Sequence, residues 1–399
     1  MNDIKRSTAW HLFGRVIQRS ISPLFMIMVA NSLASEDFAI FTFVLASSNA
    51  IASIVQSPIE NLGRVGLAQK NNWGVKAWVI IFLAMIAVFF LAGSIVSNLT
   101  LGLEKQDHSL WYNLLLLSFA LSLWAGMMSF LNGFRMYKSQ AYLSMMLFLF
   151  VFGFSWVVYF KYIDFSFINV LILSYFMTLL LFCYQVSNIK VTVKEKAEID
   201  WKFIYSIVLP AFLSSTVIGI VLIRVQSLFY SIGLDELSVY NVLNQLKGLV
   251  VFIPVALQSI VIPHIYAYYK NSDASLINKK NLKISSAVVL VSALLLLFAD
   301  YLIVDLYALS TSEMSQQINL FVLLVFLTGI SAPIGSMLII KYGLWANMLL
   351  NMLFALTFIL GSYLFVPVDS QDILIMLNVS YFVLFVVGVF LVRDQMHPI

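Results

Sequence analysis

A chain of 399 residues that is 61% hydrophobic and only 11% charged, with a mean hydropathy of +0.95, does not fit a soluble domain, where about 25% of residues are charged. Its net charge of +4 is small, and its one cysteine, Cys183, excludes an internal disulfide and a cysteine metal cluster. What remains is an all-α polytopic membrane protein.

A span needs roughly 20 apolar residues at 1.5 Å rise each, and about twelve such stretches fit between short polar breaks. In chain order they fall at 9–34, 38–58, 77–98, 110–132, 140–160, 166–187, 203–231, 238–263, 284–305, 317–340, 345–366 and 373–392. The first follows Lys5 and Arg6 as a signal peptide would, but Arg15 and Arg19 interrupt the apolar region a signal needs, so a retained helix is expected. With both termini on the cytoplasmic side, seventeen of the 23 basic residues fall in cytoplasmic segments and only Lys105 and Lys161 fall outside, as the positive-inside rule requires. The positive charge therefore reports topology and not nucleic-acid binding. Trp10, Trp73, Trp78, Trp111, Trp201 and Trp345 lie near span ends, where amphipathic rings anchor at headgroups. Trp124 and Trp156 lie deeper and read as packing residues.

The hexapeptide Glu36-Asp37-Phe38-Ala39-Ile40-Phe41 recurs as Asp235-Glu236-Leu237-Ser238-Val239-Tyr240, 199 residues later. Each copy opens a span with acidic side chains in the first turn, where they complement the helix dipole. With a polar linker at 188–202, this predicts two pseudo-repeated six-helix lobes, 1–190 and 191–399, a parallel repetition common among transporters.

The remaining four cations, Arg15, Arg19, Arg224 and Lys247, sit inside spans, with no Asp or Glu comparably deep. Ionisable groups within a bilayer are costly and mark function by default. At 1.5 Å per residue, Arg19 lies about 13 Å beyond Trp10, Arg224 about 12 Å inside the outer end of its span and Lys247 about 15 Å from the outer end of the next. Three cations at one level predict one midplane site spanning both halves of the repeat. The single sign points to an anionic cargo, and arginine suits oxyanions because its planar fork donates paired hydrogen bonds to their oxygens. On the first span Thr8, His11, Arg15, Gln18, Arg19 and Ser22 form one polar stripe. Arg15 is either an inner entrance for cargo or a side chain snorkelling to headgroups, and Lys247 either meets cargo or pairs with a backbone carbonyl. Asn49, Gln56, Asn241, Asn244 and Gln258 are candidates for sugar hydroxyls, or else interhelical hydrogen-bond partners. Pro254 and Pro263 are expected to loosen their helix.

The Trp10-x-x-x-Gly14-Arg15 opening, the hairpin Leu33-Ala34-Ser35-Glu36-Asp37-Phe38-Ala39-Ile40-Phe41 and its echo near residue 235 resemble the bacterial O-antigen flippases. These are the polysaccharide-unit translocases of the multidrug and oligosaccharidyl-lipid exporter superfamily. The resemblance covers the whole chain. It implies a twelve-helix, two-lobed, MATE-like carrier in the inner membrane that flips undecaprenyl-diphosphate-linked oligosaccharide outward by alternating access to a cationic cavity. The implied partners are the polyprenyl-diphosphate-linked glycan, membrane lipids and other polysaccharide assembly proteins.

No cofactor is expected. The chain has no P-loop and its four histidines lack metal-ligand spacing. A diphosphate would be driven outward by a cytoplasm-negative potential. Glu60, at the inner end of the second span, is the best placed carboxylate for ion coupling. A drug antiporter for cations would need intramembrane carboxylates, and a membrane glycosyltransferase or polymerase would present a sizeable soluble loop. Neither pattern is present, so a transporter and not an enzyme is expected, with export of another anionic or lipid-linked solute as the alternative.

Overall fold

A computed structural model describes residues 2–61, 83, 86, 108–134, 136–160, 166–187, 202, 204–268 and 273–393. Among the described residues the structure is helical, with no strand. The helices are α1 (Asn2–Ala30), α2 (Ser35–Asn61), α3 (His108–Gly133), α4 (Tyr137–Tyr159), α5 (Phe167–Ser187), α6 (Leu209–Ile232), α7 (Leu234–Tyr268), α8 (Asp273–Phe298), α9 (Asp300–Tyr307), α10 (Thr311–Tyr342), α11 (Leu344–Leu364) and α12 (Ser370–Val392). Nine of them are long and apolar enough to cross a membrane, ten if the bent pair α8 and α9 counts as one span, and the 35-residue α7 covers one more expected span. The span expected at 77–98 lies outside the described residues apart from helical positions at 83 and 86.

Two spans differ from the uninterrupted helices expected of them. The stretch 284–305 is broken into α8 and α9, bent by 65°. The carboxylate of Asp300 accepts from the Tyr301 N–H at 2.7 Å, a local bond that competes with the helical ladder. Ahead of α6, residues Ile204–Val208 form a π turn. Pro210 explains it, since its ring lacks an N–H and would clash with the carbonyl four residues back, at Ser206. Helices also outrun the apolar stretches: α8 begins at Asp273, and the polar residues up to Lys283 continue the helix beyond the span.

The helices form two compact units, Met1–Ser32 with Ile40–Ser227, and Leu33–Ala39 with Leu228–Ile399. The division lies within α6, later in the chain than the expected linker at 188–202, most of which lies outside the described residues.

Lipid tails are as apolar as leucine, so helices in a membrane associate through close packing and interhelical hydrogen bonds. In the first unit α1 packs on α4 with Gly14 against the Ala141 backbone; a Cβ at Gly14 would lie 2.9 Å from Ala141 Cα. Gly219 of α6 meets α2 in the same way, with Ile54 Cγ1 2.7 Å from an added Cβ. The Ser48 hydroxyl donates to the Leu114 carbonyl at 3.0 Å and Ser129 donates to Ile59, which ties α2 to α3 at two depths. Phe25 joins α1 to α2 and α5 through edge contacts with Phe41 and Phe167.

In the second unit α10 is central, packing against α7, α8, α11 and α12. Tyr240 of α7 stacks on Phe229 at 4.2 Å and meets Phe321 of α10 edge-on. Gln317 of α10 donates to the Glu236 carbonyl at 3.0 Å. The start of α2 belongs here too: the Ser35 hydroxyl donates to Asp235 Oδ1 at 3.0 Å. Asp235 is in the second copy of the repeated hexapeptide and Ser35 immediately precedes the first, so the two copies meet at their helix starts, each with its acidic pair in the first turn.

Candidate functional site

The polar stripe of α1 divides between two environments. On one edge His11 Nδ1 donates to Gln140 Oε1 of α4 at 3.1 Å, and its ring lies edge-on to Tyr137, 5.0 Å away. Gln140 and Ser144 are fully buried, and Gln140 Nε2, Ser144 Oγ and Gln18 Oε1 are enclosed with no hydrogen-bond partner among the described atoms. This edge is a helix contact. Arg19 sits on the other edge, about 140° round the helix from the contact residue Gly14 at 100° per residue, and is exposed. Arg15, between the two, is half-buried. Sequence reasoning found the stripe but not its counterpart on α4; Gln140 and Ser144, polar and four residues apart on an apolar helix, were the available signal.

Arg224 projects from α6 in the same unit, half-buried, with its Nε shielded from solvent. Lys247 belongs to the second unit. On α7, residues 237–243 are all buried, whereas every residue from Asn244 to Phe252 is half-buried. The helix thus leaves the packed part of its unit one turn before Lys247. A side chain at the neighbouring Gly248 would meet no atom within 4 Å, so the helix beside Lys247 borders open space.

The polar candidates separate in the same way. Asn244 and Gln56 are half-buried and present surface. Asn241 is only 1% exposed, among the buried residues of α7. Asn49 turns its Nδ2 onto the Leu45 carbonyl of its own helix at 2.9 Å, which leaves its second N–H and its carbonyl for other contacts. The side chains of Gln258, Pro254 and Pro263 lie outside the described residues, as does that of Thr8. Glu60 is half-buried at the end of α2.

Of the tryptophans expected at span ends, Trp10, Trp111 and Trp345 are half-buried near the starts of apolar spans, and Trp73, Trp78 and Trp201 lie outside the described residues. Trp124 packs inside, edge-on to Tyr175. Trp156 does not: it is 64% exposed near the end of α4, against Phe160. Its span ends at Tyr159, so it belongs with the end-of-span rings and not with the packing residues.

No protein-family model matches the chain, and no curated protein matches it. Solved structures do. The fold is similar to that of a multidrug resistance MATE family transporter of the MOP superfamily in an inward-facing conformation, with a TM-score of 0.70, 15% identity, and coverage of 95% of this chain and 94% of that one. An outward-facing MATE transporter of the MOP superfamily matches with a TM-score of 0.68 and 14% identity over 98% of this chain and 95% of that one. A MATE protein in complex with MaD5 matches with a TM-score of 0.67 and 14% identity, over 98% and 94%. The chain therefore has a MATE-like fold, and at this identity the likeness is one of fold.

Proposed function

We propose that this protein is a carrier that moves a polyprenyl-diphosphate-linked oligosaccharide from the cytoplasmic to the periplasmic leaflet of a bacterial inner membrane, for surface polysaccharide assembly. Arg19, Arg224 and Lys247 are its phosphate-binding groups, Arg15 stands nearer the cytoplasmic end of α1, and Asn244 and Gln56 are available to sugar hydroxyls. Both termini are cytoplasmic in this reading, and translocation proceeds by alternating access.

The observation that carries the reading is the single sign of the deep charges, together with the exposure of Arg19. Such cations suit an anionic cargo, and a carrier of organic cations would have no use for them. The MATE-like fold supports a transporter over an enzyme. Export of a different anionic solute by the same groups is the second reading, favoured by the breadth of cargo within such a fold.

The test is to replace Arg19 and, separately, Arg224 with alanine in a strain that depends on this chain for its surface polysaccharide. Translocation should fail while the protein is inserted at normal levels, and lipid-linked glycan should accumulate on the cytoplasmic side. Unchanged surface polysaccharide in both variants would remove these residues from the mechanism. Loss of another exported anion, with the glycan unaffected, would establish the second reading.

A further inference from the structure

In the second unit α8, α10 and α12 enclose a groove of about 820 Å³ whose lining is apolar but for Ser286 and Asn378. Its α12 wall carries Val379 and Phe382, 50% and 56% exposed, so the groove is open on the outside of this unit. It extends from Leu323 to Ile334 on α10 and from Asn378 to Val389 on α12. Eleven steps along each helix amount to about 16 Å, close to half of a hydrocarbon core about 30 Å thick and so the depth of one leaflet.

All three walls reach a cation at the same end. Lys341 is seven residues beyond Ile334 and Arg393 four beyond Val389, spacings that keep each on the groove face of its helix. Lys283 is exposed beside Leu282 of the α8 wall. Gly329 of α10 lies against Val289 of α8, and Gly388 of α12 against Ile334, which sets the register of the walls. By that register Lys283 stands level with Gly335 of α10 and Arg393 with Ile339, so with Lys341 the three fall within about 9 Å along the axis. Lys341 Nζ donates to the Leu391 carbonyl at 3.2 Å, which holds its charge at the seam of α10 and α12. The Arg393 guanidinium lies 4.4 Å over the ring of Phe390, a residue 61% exposed, which places that charge on the lipid-facing side. No Asp or Glu lines the groove or shares the last turn of α10 or α12; Asp394 lies outside the described residues. The positive-inside rule accounts for cations at one end of a span, but not for one on every wall of a single groove.

We infer that this groove holds an anionic phospholipid, with an acyl chain along α8, α10 and α12 and its phosphate among Lys283, Lys341 and Arg393. The furrow alone would take any acyl chain. Its length selects a single leaflet, and the one-signed end selects the headgroup, since basic clusters where helices reach the membrane surface attract anionic lipids. A zwitterionic headgroup would bring a cation of its own among the three and lose most of that attraction. In the reading given above this is the cytoplasmic leaflet, but the binding itself does not depend on orientation. The site is separate from Arg19, Arg224 and Lys247, and it stands whether or not those residues carry a glycan.

Photolabelling of the purified full-length protein in phosphatidylcholine nanodiscs tests it. The probe is a trace of phosphatidylglycerol with a diazirine on its acyl chain, compared with phosphatidylcholine carrying the same chains. A cation near the surface favours an anionic lipid about fivefold, so two of the three already amount to about 25-fold. The phosphatidylglycerol probe should label groove residues of α8, α10 and α12 at least that much more than its control. Unlabelled phosphatidylglycerol should compete, and high salt should reduce the difference. Lys283→Gln and Arg393→Gln, both at exposed positions, should each lower the preference about fivefold. Equal labelling by the two probes in the unaltered protein would overturn the proposal without recourse to any variant. So would a preference no greater in the groove than on α11, where Leu356 and Leu360 are also exposed.

Discussion

Arg19 and Arg224 are the same residue type in different surroundings, and the difference sets what each tolerates. Arg19 is exposed, so its guanidinium is free to present a planar fork, and lysine in its place keeps the charge but not the paired hydrogen bonds. Arg19→Lys should retain partial translocation, whereas Arg19→Gln should weaken cargo binding about tenfold to a hundredfold, the worth of a hydrogen bond to a charged group. Binding of the lipid-linked glycan to purified variants measures this, and equal affinity of the glutamine variant and the native protein would remove Arg19 from cargo binding. Arg224 is half-buried with a shielded Nε, so it presents less surface than Arg19. Its lysine variant should lose more than that of Arg19. Trp156 shows where residue type misleads: a ring inside an apolar stretch is exposed, not packed, near the end of its helix.

At the scale of helices, contact distances predict which glycines are structural. Gly14 lies against the backbone of Ala141, which cannot move as a flexible side chain would, so Gly14→Val should cost about 1–3 kcal/mol through overpacking and lower the unfolding temperature in detergent. Gly248→Ala is the contrast: it meets no atom within 4 Å, removes a poor helix former and should leave that temperature unchanged or raised. A second prediction concerns the starts of α2 and α7, joined through Ser35 and Asp235. Cysteines at 35 and 235, in a background lacking Cys183, should be linked by a short bifunctional thiol reagent, and translocation should stop until a cleavable link is reduced. Full activity of the linked protein would mean that this contact persists through the cycle. The existence and order of these helices were legible because a membrane span writes its length in apolar residues. The break at Asp300 and the π turn before Pro210 were not, since each depends on one local hydrogen bond or one missing N–H inside an apolar run. The cations of the candidate site were legible for the same reason as the spans, being rare in them. Gln140 and Ser144 were missed because a polar residue facing a neighbouring helix looks, in one dimension, like any other.

For the whole molecule, the sign of the deep charges and the sign of the membrane potential point the same way. Moving one charge through 100 mV is worth about 2.3 kcal/mol, so a diphosphate of charge near two gains roughly 4 to 5 kcal/mol on leaving a negative cytoplasm. Every 1.4 kcal/mol is a tenfold change at equilibrium, which makes this drive about a thousandfold bias and sufficient without nucleotide hydrolysis. In proteoliposomes holding the purified protein and a polyprenyl-diphosphate oligosaccharide, a potential negative on the cytoplasmic face should drive glycan to the opposite leaflet, and reversing the potential should reverse the accumulation. In the proposed cycle Arg19, Arg224 and Lys247 neutralise cargo charge while it is bound, so the rate should depend on potential less steeply than the free cargo charge alone would give, and more steeply when one of the three is neutralised without loss of binding. Accumulation that ignores the potential and follows a pH gradient would instead assign the drive to proton coupling, with Glu60 at the end of α2 as the first carboxylate to replace.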